Sequence, residues 1–140
     1  MDKEVTLKAI IASPDNPDNF TVYLTSRNES VILPINLDKS SAIPVINAIQ
    51  HKDFSEVIPS IYDTAHKILL VLGGIIQKVL ITTTDGVVFS SYLQVRRGER
   101  LIEINSKVSD SLSLAFKSGC PIYVTDKAME IYGFDTKDIS

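Results

Sequence analysis

Tryptophan is absent from this 140-residue chain, cysteine occurs once, and histidine and methionine occur twice each. The single cysteine, Cys120, makes no internal disulfide and supports no Cys-based metal site, and a reducing cytoplasm is the expected setting. The two histidines, His51 and His66, are too far apart for a His-x-x-x-His pair and are expected on the surface. Long apolar runs are missing too. The longest, Ile68 to Leu72, stops at two glycines, far short of the ~18 residues that cross a bilayer, so no membrane association is expected. The charged start Met1-Asp2-Lys3-Glu4 does not read as a signal peptide. No Gly-rich phosphate loop and no Gly-x-Ser-x-Gly elbow occur. Positive charge does not dominate: 14 Lys and Arg face 17 Asp and Glu, for a net charge of −3. That excludes a broadly basic nucleic-acid coat, so any nucleic-acid binding is expected to be weak, local and salt-sensitive.

What is present is ordinary globular material, 44% hydrophobic and 22% charged, enough for one domain with a sizeable core. Val5, Leu7 and Ala9 alternate with polar residues, as do Phe20, Val22 and Leu24, which predicts two strands. Ser13-Pro-Asp-Asn-Pro-Asp-Asn19 between them suits a loop. Val31 to Ile35 predicts a third strand that ends near Pro34, because proline lacks the N–H of a central strand. Asp38 to Ser41 opens a helix through Ile49, with Pro44 expected to delay or distort its start. From Ser60, the spacing of Ile61, Ala65, Ile68, Leu69 and Leu72 predicts a helix with one apolar stripe. Gly73-Gly74 ends it.

Ile75–Thr83 and Val87–Val95 predict a hairpin around Asp85-Gly86, whose residues suit the two positive φ angles of a type I′ turn. A second turn at Arg97-Gly98 leads to a strand with Leu101, Ile102 and Ile104. A helix starting at Ser109-Asp110, a strand at Pro121–Thr125 and a helix at Asp126–Tyr132 complete the chain. Hairpins outnumber βαβ units, which predicts an α+β fold: a mostly antiparallel, curved sheet with about four helices in a single domain. Mean hydropathy of +0.13, and strands with Ile and Val on both faces, predict a homo-oligomer, a two-fold dimer.

Three polar groups invite chemistry. Ser109 and Asp110 suit a helix start, where capping and the dipole explain both; the same positive end, with Lys107 beside it, suits a phosphate. Tyr62-Asp63 opens another helix, and Asp63 and Asp110 together offer carboxylates to a divalent metal. Arg96-Arg97-Gly98-Glu99-Arg100 is either a solvated turn or a phosphate-steering patch.

In chain order, several landmarks resemble the bifunctional nuclease domain family: Leu33-Pro34-Ile35, Ala42, Pro59-x-x-x-Asp63, Leu69-Leu70-x-Leu72-Gly73-Gly74, Ser109-Asp110-Ser111-Leu112-x-Leu114-Ala115 and Pro121-Ile122-Tyr123-Val124. The resemblance implies phosphodiester hydrolysis of RNA and DNA with little sequence preference, often with Mg²⁺ or Mn²⁺. It implies Asp63 and Asp110 as catalytic or metal carboxylates, and Lys107 and Ser109 as phosphate-binding groups; the Arg96, Arg97 and Arg100 turn joins them as a phosphate-binding candidate on local charge. Four positions depart from the family pattern. Ser41 stands for a Glu, Tyr62 for a His, Asn105 for an Asp and Lys107 for an Arg. The alternative reading is therefore a catalytically silent nucleic-acid-binding or protein-interaction module of the same fold.

Overall fold

A computed structural model describes residues 2–27, 31–50 and 59–135. Strand β1 (Lys3–Ala12) pairs antiparallel with β2 (Asn19–Ser26), and β2 with β3 (Val31–Asp38). Helices α1 (Lys39–Gln50) and α2 (Ile61–Val71) follow. Next come the antiparallel strands β4 (Gly74–Thr84), β5 (Val88–Arg97) and β6 (Arg100–Ser106). The chain closes with α3 (Val108–Ser118), β7 (Ile122–Val124), α4 (Asp126–Tyr132) and the short β8 (Phe134–Asp135). One eight-stranded sheet results, in the order β6-β5-β4-β7-β1-β2-β3-β8. Every pairing is antiparallel except β4 with β7, so the α+β architecture read from the sequence is the one observed.

The core is a single cluster. Val5, Val22, Leu24, Leu33, Val79, Ile81 and Val124 line one face of the sheet against Val45 of α1, Leu112 and Ala115 of α3 and Ala128 of α4. Alternation along each strand puts these residues on the same side, as strand pleating requires.

Local chemistry corrects several expectations. β3 runs through Pro34 to Asp38 rather than ending there. β8 pairs with Val31 and Ile32, so among the described residues β3 is an open edge beyond that point, where no neighbour needs the missing N–H. α1 does not start late. Asp38 Oδ1 accepts the Ser41 amide at 3.0 Å and caps the helix, and Pro44 lies beyond the first turn, where it removes one intrahelical bond. The hairpin loop is Asp85-Gly86-Val87, one residue longer than a tight turn, although Asp85 and Gly86 take the positive φ values of 53° and 71° expected of them.

α2 departs most. Its only buried residue is Asp63, while Ile61, Ile68 and Leu72 of the expected apolar stripe are each more than half exposed. The inward side carries Tyr62, Asp63 and Leu69, so of the stripe Leu69 is the residue turned to the core, and His66 is partly exposed. His51 lies outside the described residues.

A buried serine relay ties α3 to the sheet. Ser91 of β5 donates its hydroxyl to the Ser106 carbonyl at 2.6 Å, and its oxygen lies 2.6 Å from Ser111 Oγ. Ser91 has one hydrogen and spends it on Ser106, so Ser111 is the donor in the second bond. Ser113 Oγ is buried without a partner. Ser91→Ala is expected to lower stability by about 1–3 kcal/mol, because it leaves Ser111 and the Ser106 carbonyl unsatisfied. Ser113→Ala, which removes an orphaned hydroxyl, is expected to raise it by about 1 kcal/mol. Urea melts of the two variants beside wild type check both signs.

Candidate nucleic-acid site at the start of α3

The last residue of β6, Ser106, is held by Ser91, and the chain turns into α3 immediately afterwards. The N-cap position is Lys107, and its side chain makes no capping bond. This differs from the cap expected of Ser109 and Asp110, which fall inside the first turn, Ser109 being buried there. The first amides of α3 are therefore not satisfied by the N-cap side chain, at the end of the helix where backbone dipoles favour negative charge.

Four side chains from three helices meet around this point. Lys107 Nζ donates to Ser41 Oγ of α1 at 3.1 Å. Ser41 is held in turn by Asp38, whose carboxyl the Ser41 side chain and amide keep below the usual carboxylate range, with help from the Lys107 charge. On the other side, Tyr62 Oη of α2 donates to Asp110 Oδ1 at 2.6 Å. Burial first, and then that bond to Asp110, push the Tyr62 phenol up to about 12. Tyr62 thus stays a proton donor near neutral pH and orients one oxygen of Asp110.

Asp63 is engaged elsewhere. It is 5% exposed, and its Oδ1 lies 3.0 Å from Lys117 Nζ, while Oδ2 accepts the Ser60 amide at 2.8 Å and the Ser60 hydroxyl at 3.0 Å. With the Ser60 hydroxyl accepting from the Asp63 amide at 3.3 Å, this forms a capping box. Burial alone would raise the Asp63 carboxyl, but the bonds from Ser60 and Lys117 outweigh it and hold it below 3.8.

The two carboxylates are drawn to different partners, Asp63 to Lys117 and Asp110 to Tyr62. That donor set does not fit a divalent ion shared between them. Among the described residues, no three of His, Cys, Asp and Glu gather into a cation site.

The arginines lie apart from this cluster. Arg97 pairs with Arg100 across the β5–β6 turn, whereas Ser106, at the far end of the same hairpin, pairs with Ser91. Arg100 and Lys107 are thus separated by about 23 Å of extended strand. Arg97 and Arg100 share the α3-facing side of the sheet with Ser91 and Ser106, while Arg96 and Asn105 occupy the opposite face. Cys120 is half-buried and its thiol is pushed up by burial, which leaves it a poor nucleophile.

Sequence reasoning marked Lys107 and Asp110 from the helix-start pattern. It missed Lys117 as the partner of Asp63, since nothing in the spacing of residues on two helices signals an ion pair. The capping role read for Asp38 at the start of α1 is the one observed, but its service in holding Ser41 toward Lys107 was not foreseen.

The α+β sheet and its helices bring Ser41, Tyr62, Lys107 and Asp110 together at the start of α3. The match to known families is direct: residues 22–137 fit the bifunctional nuclease domain, and the chain belongs to that family. None of the curated proteins compared matches the chain. No helix among the described residues is long and apolar enough to cross a membrane.

The Asp63–Lys117 pair has a testable pH signature. The Asp63 carboxyl is lower in the folded chain than its ordinary value of 3.8. Its contribution to stability is therefore full above that value and lost as pH falls through the lower folded value. Asp63→Asn is expected to cost about 3 kcal/mol at pH 7 and to flatten the loss of stability as pH falls below about 4. Thermal melts of both proteins across that range measure the difference.

Proposed function

We propose that this chain is a nuclease of its family, hydrolysing phosphodiester bonds of RNA and DNA with little sequence preference at the start of α3. The observation that carries the reading is the uncapped helix N-terminus with Lys107 at its N-cap and Asp110 in its first turn. Backbone N–H groups at such an end, with a lysine beside them, suit a phosphate. Tyr62 holds one oxygen of Asp110 and leaves the other for the reaction. In that step Asp110 takes a proton from the attacking water, the water oxygen bonds phosphorus, and the ester P–O bond breaks. The leaving oxygen takes its proton from solvent. Asp63, occupied by Lys117 and Ser60, acts by setting the α2–α3 packing that aims Tyr62. Mg²⁺ or Mn²⁺ enters this proposal only together with the substrate phosphate, since such ions are commonly held by one carboxylate plus phosphate and water.

A second reading rests on the four departures. With Ser41, Tyr62, Asn105 and Lys107 where the family has Glu, His, Asp and Arg, the same seat binds nucleic acid without cutting it.

Labelled single-stranded RNA and DNA, incubated with the chain with and without Mg²⁺ or Mn²⁺, separate the readings. The nuclease reading expects cleavage that falls about 100-fold in Asp110→Asn while binding persists. Equal cleavage by the variant assigns the activity to a contaminant, and binding without cleavage by wild type selects the second reading. In either reading, Lys107→Ala is expected to weaken binding and reduce the slope of log affinity against log salt by about 1.

A further inference from the structure

The two positive features of this acidic chain are held apart within one molecule, Lys107 at one end of β6 and the Arg97–Arg100 turn at the other. β6 is also the end strand of the described sheet, and its side chains are exposed almost throughout. Leu101 is 49%, Ile102 37% and Ile104 45% exposed. A seven-residue edge strand of this kind presents unpaired backbone groups and apolar side chains together, the combination that invites another strand.

We infer that β6 pairs antiparallel with β6 of a second copy of this chain, and that each copy thereby supplies Arg97 and Arg100 to the other's α3 site. The inference rests on the phosphate seat proposed above and names what completes it.

The register follows from charge. A two-fold pairing that continues the sheet must place one residue opposite its own twin, because facing residues share a side of the pleat. Centring on Glu103 opposes two carboxylates, and centring on Leu101 opposes Glu99 and Glu103. Like charges directly opposite one another are destabilising. Centring on Ile104 or Asn105 avoids like charges but runs the ladder into Lys107 and Val108, where the chain has already left the strand for α3. Centring on Ile102 removes both conflicts within the strand: Ile102 meets its twin, Arg100 meets Ile104, Leu101 meets Glu103 and Glu99 meets Asn105. Followed one step further, this register sets Gly98 of the second copy opposite Ser106, the residue that leads into Lys107.

The arginine turn of one copy therefore arrives where α3 of the other begins. Arg97 and Arg100 are on the same face of the sheet as Ser91 and Ser106, the side on which α3 sits. Asp38 and Asp110 make that site locally acidic, with Lys107 the only positive side chain in the cluster described above. Two guanidinium groups from the second copy correct this balance and offer paired donors to a phosphate, which a lysine does not. The two-fold closes the assembly, because each copy has one β6 edge and both are then used.

Three measurements test the inference. Light scattering is expected to give twice the 15.4 kDa of one chain for wild type. It is expected to give a single chain for Ile102→Lys, which opposes two ammonium groups at the centre of the interface. In a Cys120→Ser background, Ile102→Cys is expected to cross-link to itself on mild oxidation, since facing residues have Cβ atoms about 4.5–5.5 Å apart. Ile104→Cys, which faces Arg100, is not.

The third measurement concerns the shared site. Asp110→Asn and the double variant Arg97→Ala/Arg100→Ala are each expected to lose at least tenfold of the cleavage of labelled single-stranded DNA. Their mixture is expected to recover about a quarter of wild-type activity by random assortment of copies. A monomeric wild type, or cross-linking through Ile104→Cys in place of Ile102→Cys, overturns the inference. So does a cross-linked dimer whose mixture recovers nothing.

Should wild type cut no probe, the nuclease reading fails by itself, and DNA binding by fluorescence anisotropy decides the shared site. Ile102→Lys adds positive charge, yet it is expected to bind at least tenfold more weakly than wild type. Equal binding overturns the inference.

Discussion

The buried hydroxyl of Ser91 fixes the corner on which the rest of the molecule depends. It sits on β5, donates to the last carbonyl group of β6 and receives from the first turns of α3. A polar relay in the core is costly unless every member is paired, and each of these is. Its effect is positional. β6 ends, the chain turns, and α3 begins at one defined place against the sheet. Lys107 and Asp110 are in register with Ser41 and Tyr62 only because that start does not slide.

From this corner the polar residues divide into two kinds. Ser60, Asp63 and Lys117 form a set centred on a buried carboxylate, whose bonds hold α2 against α3. Ser41, Tyr62, Lys107 and Asp110 form an open set at the helix end, joined as two pairs and positioned by three helices. The set around Asp63 gives stability and alignment. The open set keeps a carboxylate oxygen, an ammonium group and backbone donors within one neighbourhood, as transfer or binding of a phosphate requires.

Much of the fold was legible in the sequence because strand alternation and glycine turns report directly on local backbone preference. Asp85-Gly86 took its positive φ angles, and Val22 and Leu24 turned inward as their spacing implied. Periodicity misled at α2, where Ile61, Ile68 and Leu72 of the apolar stripe face outward and a carboxylate joins Leu69 in facing in. Spacing alone reports that a helix has two faces, not which one is covered. The site was half legible. Asp110 and Lys107 announced themselves at a helix start. The bonds that give them meaning, from Ser41 66 positions away and from Tyr62 48 positions away, are products of tertiary packing that no local pattern encodes. The arginine turn was legible as charge, but its distance from Lys107 follows from strand geometry rather than composition.

The central claim is that the uncapped start of α3 is where a phosphate group sits. Amide chemical shifts of the ¹⁵N-labelled chain, followed while a short single-stranded DNA is added, test it most directly. The account predicts that the largest shifts fall on Val108, Ser109 and Asp110, with smaller ones on Ser41. Shifts that leave these amides unmoved, or that gather only on the exposed face of α2, contradict it.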